Sequence, residues 1–590
     1  MSRSSAPPRC SLLTWALLGC VLLPWSAQAK VEIVIPDVTE QVATNVRAFL
    51  SLTRYADRDD ITQETMSRLH RRIVSETRAA LEPLGYYEPE VKYETAHEGD
   101  NWRVTIRIKP GRPVRLADVN VNVVGAGAGD RSIQEIVEAQ ELKPGLRLNH
   151  GTYERVKGTL LRAAKNDGYL DAHLTKNDLV IDRVERRATV TIEMDTGKRF
   201  SFGEIKVVQD VIEDSAARRL LRMQQGDPYT LDSLLRTQYT LDDSQYFSSV
   251  TIETGTADRQ ALTVPVTVTA QPNRRHRFST SVGYGTDTEA RGKFTWDNRR
   301  VNRDGHRFKL ELLGSAVIRE LTGRYVIPVM DVALEKLEFT GDLVDEEIGD
   351  TESQRNEVGV GLTQVQGRWQ RVLFVRLSNE TTTEADGITK NTAFYIFPGI
   401  SYSTLPSYIV GGKVRPYRLY FELRGSPTTL GSDVSFLQFR FLGERLFDFA
   451  QRWHLYLRRE LGATHIESNE ENEVQELPAS QRFFAGGDRS VRGFELNELS
   501  PQEDGKSVGG KHLLTGTIEV TRDLPRNFGI ATFFDIGNAF DDFKEPGLEY
   551  SVGVGVRYNI AVASFGVDVA QPLSESGSGP RLHLYISTQF

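Results

Sequence analysis

The sequence predicts a transmembrane β-barrel of sixteen antiparallel strands preceded by three small α+β modules, and three observations carry that prediction. From about residue 275 onward, apolar residues alternate with small or polar ones in segment after segment. Before that point a strand-and-helix pattern recurs roughly every 80 residues, and the chain opens on an apolar leader.

In the leader, Arg3 and Arg9 precede the uncharged stretch Ser11 to Leu23, and Ala27-Gln28-Ala29 follows it. A basic start, an apolar middle and an A-x-A site read as a secretory signal peptide over residues 1–29. Both cysteines, Cys10 and Cys20, fall inside it, so disulfides, thiolate-held metals and thiol catalysis are not expected beyond it. The leader holds two Arg and no acid, which leaves the rest of the chain at −10 against −8 for the whole. So acidic a chain is a poor partner for nucleic acid. No later run of 18 apolar residues suits a membrane helix.

The modules are expected at 30–112, 113–197 and 198–272. Their anchors are Leu84-Gly-Tyr-Tyr87, Asp167-Gly-Tyr-Leu170 and Ser244-Gln-Tyr-Phe247, each after a helical stretch and before strands. Lys109-Pro-Gly-Arg-Pro113 and Asp195-Thr-Gly-Lys-Arg199 punctuate the boundaries between them. In the second module Tyr153, Val156, Leu160 and Ala164 share a helical face, and Ala188 to Met194 alternates as a strand. A helix face and a sheet face of this size bury each other in two layers. The order strand, helix, helix, strand, strand resembles the POTRA (polypeptide-transport-associated) domain, whose Gly-aromatic turn the anchors match. The third copy departs from it, with Gln245 in place of glycine. Val121 to Asp130 looks like a dinucleotide-binding loop, but Asp130 stands where glycine or alanine is required. The segment is therefore expected to be a turn, with Asp130 or Ser132 near a helix cap.

In the barrel region, 273–590, the clearest strand is Tyr550 to Tyr558. Alternation puts Tyr550, Val552, Val554, Val556 and Tyr558 on one face and Ser551, Gly553, Gly555 and Arg557 on the other. Rings at both ends of about nine residues suit a tilted strand with its aromatics in the two membrane interfaces. Similar segments fall near 276–284, 290–297, 306–314, 318–327, 335–344, 355–364, 370–378 and 391–399. The remainder lie near 415–424, 434–442, 452–461, 512–521, 529–535, 550–558, 563–570 and 581–590. The even count suits a closed bacterial barrel, and one this wide needs a plug or conducts.

The longest gap, 462–511, is the expected plug, a loop folded into the lumen. It holds Gln481 to Phe494, rich in cations, aromatics and glycines, and it would bring Arg492 to acids of the wall. Asp535, in Phe533-Phe-Asp-Ile-Gly537, is one such acid, and a guanidinium and carboxylate can pair bidentately there. Gly493 permits close backbone approach, and Gly537 is expected to mark a bend. Val491-Arg492-Gly493-Phe494 and the motif Phe533, Asp535, Gly537 together resemble the loop and wall motifs of outer-membrane assembly and secretion barrels of the BamA, TamA and two-partner-secretion type. In that family the Arg packs against the Asp.

Module count points within the family. BamA-like chains carry five POTRA domains, two-partner transporters two behind a plug helix, and the TamA group three directly after the signal, which is the pattern here. The resemblance implies an outer-membrane protein with periplasmic POTRA domains that assembles autotransporters and related clients. It also implies an inner-membrane-anchored TamB-like partner and a part in lipid movement between membranes. A lumen secretion pore, a BamA-like general assembly factor and a passive pore are the alternatives.

Strand-edge physics supplies the expected mechanism. A weak seam between the first strand (Phe278, Val282, Tyr284) and the last (Leu584, Ile586, Phe590) would open into the bilayer and template an unfolded client strand. The last strand has no glycine to kink it. No nucleophile elbow, zinc-protease helix or P-loop occurs, so neither catalysis nor any cofactor or metal is expected.

Overall fold

The computed structural model describes residues 31–590 apart from 57–60, 99–100, 406–408, 411–412, 415–416, 468–476, 561–562, 575–576, 578 and 589–590. The leader with Cys10 and Cys20, and Phe590, lie outside the described residues. The chain forms two compact units, one running to Ser201 with Pro228–Thr230, the other holding Phe202–Asp227 and Leu231–Phe590.

The first unit contains two modules of one plan. In the first, strand Val31–Val34 is followed by helices Glu40–Phe49 and Gln63–Leu81 and by strands Glu90–Glu98 and Asn101–Lys109. The last strand lies in the middle of the sheet, parallel to the first and antiparallel to its hairpin partner. In the second, Arg115–Val124, Arg131–Ala139, His150–Asn166, His173–Asp182 and Arg187–Asp195 repeat that order and pairing. Apolar periodicity drives both: Tyr153, Val156, Leu160 and Ala164 on the helix are buried with Ala188, Val190, Ile192 and Met194 of the central strand. The helix begins at Asn149, whose side chain accepts from the Gly151 and Thr152 N–H groups.

The glycine-rich segment after Val121 is a turn leading to helix Arg131–Ala139, with Asp130 at the N-cap position. Its carboxylate makes no cap; it accepts from the Tyr169 hydroxyl at 2.6 Å, while Ser132 donates to Asp167. Asp130 thus sits at the cap as expected, with its carboxylate engaged by the second anchor instead of the helix. Burial, with that hydrogen bond, pushes the Tyr169 hydroxyl up to about 12, so it remains a donor.

The anchors share a backbone state. Gly85 and Gly168 have φ of +85° and +94°, and Gln245 at the third anchor is also left-handed at +60°. Gln245 gains in return: its side chain accepts from Arg307 at 3.1 Å and its carbonyl from Asn273 at 3.0 Å.

In the second unit a third sheet has Thr263–Pro272 between Ser201–Val208 and Phe247–Thr254, with helices Asp214–Arg219 and Leu231–Asp243. Several contacts tie it to the barrel and its turns, among them these two. Arg222 forks onto Asp331 at 2.6 and 2.9 Å, and the Tyr246 hydroxyl donates to the Gly305 carbonyl at 2.5 Å.

Sixteen antiparallel strands then close a barrel. Alternation works as its physics requires: Tyr550, Val552, Val554, Val556 and Tyr558 are exposed on the outer face, while Ser551, Gly555 and Arg557 are buried. Several strands outrun the apolar pattern, among them Thr351–Gln366, Trp369–Thr383 and Lys390–Thr404, the sixth to eighth. Ladder hydrogen bonds continue through polar residues such as Glu380 to Thr383, where apolar alternation has ended. The eleventh strand likewise continues to Ile466, so the long loop starts five residues later than expected.

Glycine at the anchors makes a measurable claim. A Cβ on Gly168 would stand 2.3 Å from the Tyr229 carbonyl oxygen, whereas Gly145, also left-handed at +87°, has open space around it. Gly145→Ala is expected to destabilise the protein by about 1 kcal/mol from backbone strain alone. Gly168→Ala should cost at least twice that, read as a larger loss of thermal stability by circular dichroism.

Candidate functional site: the lumen loop and the barrel seam

Five consecutive wall strands each aim one ionisable side chain into the lumen. They are the twelfth to sixteenth: His512–Asp523, Phe528–Phe540, Glu549–Ile560, Ala563–Pro572 and Arg581–Thr588. They carry Glu519, Asp535, Arg557, Asp568 and His583 respectively, at inward positions of the alternation, and Asp535, Asp568 and His583 are fully buried.

Into this row the loop inserts Arg492. Its Nε donates to Asp535 Oδ2 at 2.7 Å and its Nη2 to Asp535 Oδ1 at 3.1 Å. Nη1 reaches Glu519 at 2.8 Å and Asp568 at 3.0 Å. Even the Arg492 backbone N–H donates to Asp535, at 3.2 Å. Arg557 completes the cluster from the opposite side by forking onto Asp568 and reaching Glu519 at 3.1 Å. Burial alone would lower the Arg492 pKa, but Asp535 and Glu519 raise it, so the guanidinium stays charged.

Apolar and small residues fix this geometry. The Arg492 guanidinium lies 3.3 Å from the centroid of the Phe533 ring, a cation–π contact shielded from water. That ring occupies the place a side chain on Gly553 would take, since a Cβ there would meet it at 2.2 Å. Val491 and Phe494 are buried with Phe483, Ala485, Leu499, Leu513 and Ala539 in a small core beneath the loop. Gly493 adopts φ of +100° and donates its N–H to His583 Nε2 at 2.9 Å. Pairing runs unbroken through Gly537, without the expected bend; a Cβ there would stand 2.6 Å from the Leu514 carbonyl oxygen. The loop has further wall contacts, with Arg482 forked onto Glu384 at 2.8 and 2.9 Å and Ser480 donating to Glu380 at 2.6 Å.

The seam contrasts with this. The first strand, His276–Gly285, pairs with the second, Glu289–Asn298, along all ten residues. Against the sixteenth strand, the described residues give one paired position, Gly285 with Tyr585. The Thr286 N–H adds a bond to the Leu584 carbonyl at 3.1 Å, and Arg291 one to the Ile586 carbonyl at 3.1 Å. Phe278, Val282 and Tyr284 are exposed on the outer face, and Leu584 and Ile586 lie on the opposing strand.

Sequence reasoning singled out Arg492 and Asp535 but missed Glu519, Asp568 and His583 and gave Arg557 only a face. The signal was present: Ile518-Glu519-Val520 and Val567-Asp568-Val569 each place an acid between outward apolar residues.

Against known families, residues 214–590 match the model described as the Omp85 superfamily domain. The chain belongs to the Omp85 superfamily. Residues 32–110 match the model described as POTRA domain TamA domain 1. Among curated proteins, the outer membrane protein assembly factor BamA of Nitratidesulfovibrio vulgaris is 23% identical over 387 residues, 62% of this chain and 48% of that protein. This Omp85 chain thus spans about half the length of that relative. Among solved structures, BamA from Haemophilus ducreyi lacking POTRA domains 1–3 shares the fold, with a TM-score of 0.62 at 13% identity. The likeness covers 80% of this chain and 99% of that one.

Removing Arg492 leaves Asp535 buried without its fork, so Arg492→Ala is expected to destabilise the Omp85 barrel by about 3–5 kcal/mol. Asp535→Ala should also destabilise it. In a double-mutant cycle read by heat-dependent gel mobility, the double variant should be little worse than the weaker single variant. Additive losses would rule out energetic coupling between the two.

Proposed function

We propose that this protein is the outer-membrane subunit of a TamA-type translocation and assembly module. In this reading it inserts autotransporters and other β-barrel clients into the bilayer by lateral opening, with its three POTRA domains in the periplasm. The seam carries the proposal: among the described residues, one paired position joins strands that elsewhere pair along their length. An unpaired strand in lipid leaves backbone groups unsatisfied at several kcal/mol each. A client strand that adds to the opened edge of His276–Gly285 satisfies them as it enters. The match of residues 32–110 to a TamA-type POTRA model supports the TamA branch over a general assembly factor.

Each part then has a role. Arg492, Val491, Gly493 and Phe494 hold the loop against Phe533, Asp535 and Gly537, keeping the wall rigid on one side while the seam yields. The first module, 30–112, takes the TamB-like inner-membrane-anchored partner, and lipid movement between membranes is part of the same assignment. The modules are assigned as 30–112, 113–197 and 198–272, with the barrel at 273–590.

Two experiments test this. Tyr284→Cys with Ile586→Cys, neighbours of the single bridge, should form a disulfide that stops insertion of a model autotransporter, with activity restored by reductant. Full activity of the locked protein would sink lateral opening and favour export through the lumen. Deleting residues 30–112 should abolish co-purification of the TamB-like partner; undiminished co-purification would move that contact elsewhere.

A further inference from the structure

Asp488 occupies a place in the loop that the ion cluster does not explain. It lies where three parts of the chain meet: the loop itself, the turn after the first strand, and the sixteenth strand. Its Oδ1 accepts from His583 Nδ1 at 2.6 Å, and Thr286 Oγ1 lies 3.4 Å from the same atom. Its own N–H donates to Asp287 Oδ2 at 2.6 Å. Thr286 and Asp287 belong to the first-strand side of the seam, and His583 to the last-strand side.

His583 is committed at both nitrogens, since Nε2 accepts from Gly493 while Nδ1 faces Asp488. That leaves the imidazole no free lone pair for a cation, although Asp287, Asp488 and His583 offer ligand atoms within 4.8 Å of one another. The tight turn is paid for by Gly487, left-handed at +93°, where a Cβ would stand 2.6 Å from Asp287 Oδ2. Asp287 Oδ1 is buried without a hydrogen-bond partner, and burial, with the Asp488 charge beside it, pushes that carboxyl up. Next to the cluster is a lumen cavity of about 570 Å³, which Asp488 lines together with Arg291 and Tyr585.

From this geometry we propose that Asp488 is a latch: it fastens the lumen loop to both strands of the seam and thereby holds the barrel closed. The one bridge that the described residues show, at Gly285 and Tyr585, is supplemented from inside the lumen by side chains. Moving the loop releases both sides together. Asp287 weakens the latch, because it sets a second carboxylate against Asp488. The role of the latch in client insertion rests on the lateral-opening reading above, but its effect on the seam does not.

The test uses the full-length protein in lipid vesicles with Tyr284→Cys and Ile586→Cys, and it follows the rate of disulfide formation under mild oxidant. Asp488→Ala should slow that rate at least threefold, because the seam spends less time closed. His583→Gln should slow it as well, since the amide presents its donor and acceptor at a different angle from the two ring nitrogens and loosens the contacts to Asp488 and Gly493. Asp287→Asn keeps an acceptor for the Asp488 N–H, removes the opposing charge and should quicken the reaction. Rates equal to the parent's in folded Asp488→Ala and His583→Gln protein overturn the latch, as does a slower rate with Asp287→Asn. Should Asp488→Ala fail to fold, the other two variants decide. With client insertion measured in parallel, a slowed rate with unchanged insertion supports the latch and counts against lateral opening. Lost insertion at an unchanged rate overturns the latch alone.

Discussion

A guanidinium buried inside a barrel has no solvent to return to, and the rest of this architecture is organised around satisfying one. Arg492 enters the lumen on a loop and meets Asp535, Glu519 and Asp568, while Arg557 shares the last two. Because those partners sit on separate strands, a single side chain cross-braces three staves of the wall, and Arg557 ties in the fourth that lies among them. Buried pairs are weak evidence of net stability against an apolar substitute, but they are severe in what they forbid. Any loop position that leaves Arg492 unpaired is excluded, so the cluster specifies where the loop rests.

Rigidity on that side gives the seam its significance. A barrel in which every junction was equally weak would open anywhere or unfold. Here the ladders beside the ion cluster are long and unbroken, and the sparse junction lies at the first and last strands. On the proposed reading, opening at the seam would cost little in hydrogen bonds, and the Asp488 contacts would put that small cost under the control of the same loop. The Gly487 to Phe494 stretch is thus braced on the ion cluster at one end and in contact with both seam strands at the other.

Much of this was legible in the sequence because period-two alternation is an unambiguous signal where one face meets lipid and the other a polar lumen. The sixteen strands could be read in that way, the α+β plan of the modules followed from their recurring strand-and-helix order, and the Arg492 and Asp535 pair was marked by the resemblance of its two motifs to those of assembly and secretion barrels. Strand ends could not, since the ladder runs on through Glu380 to Thr383 after the apolar signal stops. The partners Glu519, Asp568 and His583 were hidden for another reason. An inward acid on one strand is unremarkable alone, and only closure of the barrel brings five such positions into one row. Asp130 stands at the helix cap as expected, but the partner of its carboxylate, Tyr169, is distant in sequence and could not be read from the turn.

The one residue that breaks the module signature has a neighbour that explains it. At Gly85 and Gly168 an added Cβ would collide with the carbonyls of Leu148 and Tyr229, which belong to the stretch of chain that follows each anchor. At the third anchor the neighbour is the barrel, and Arg307 offers a donor to the Gln245 side chain. Gln245 therefore marks the joint at which a string of repeating units ends. A repeat in this protein is written partly by the piece it adjoins, so a departure from the pattern locates a change of neighbour rather than a decayed copy.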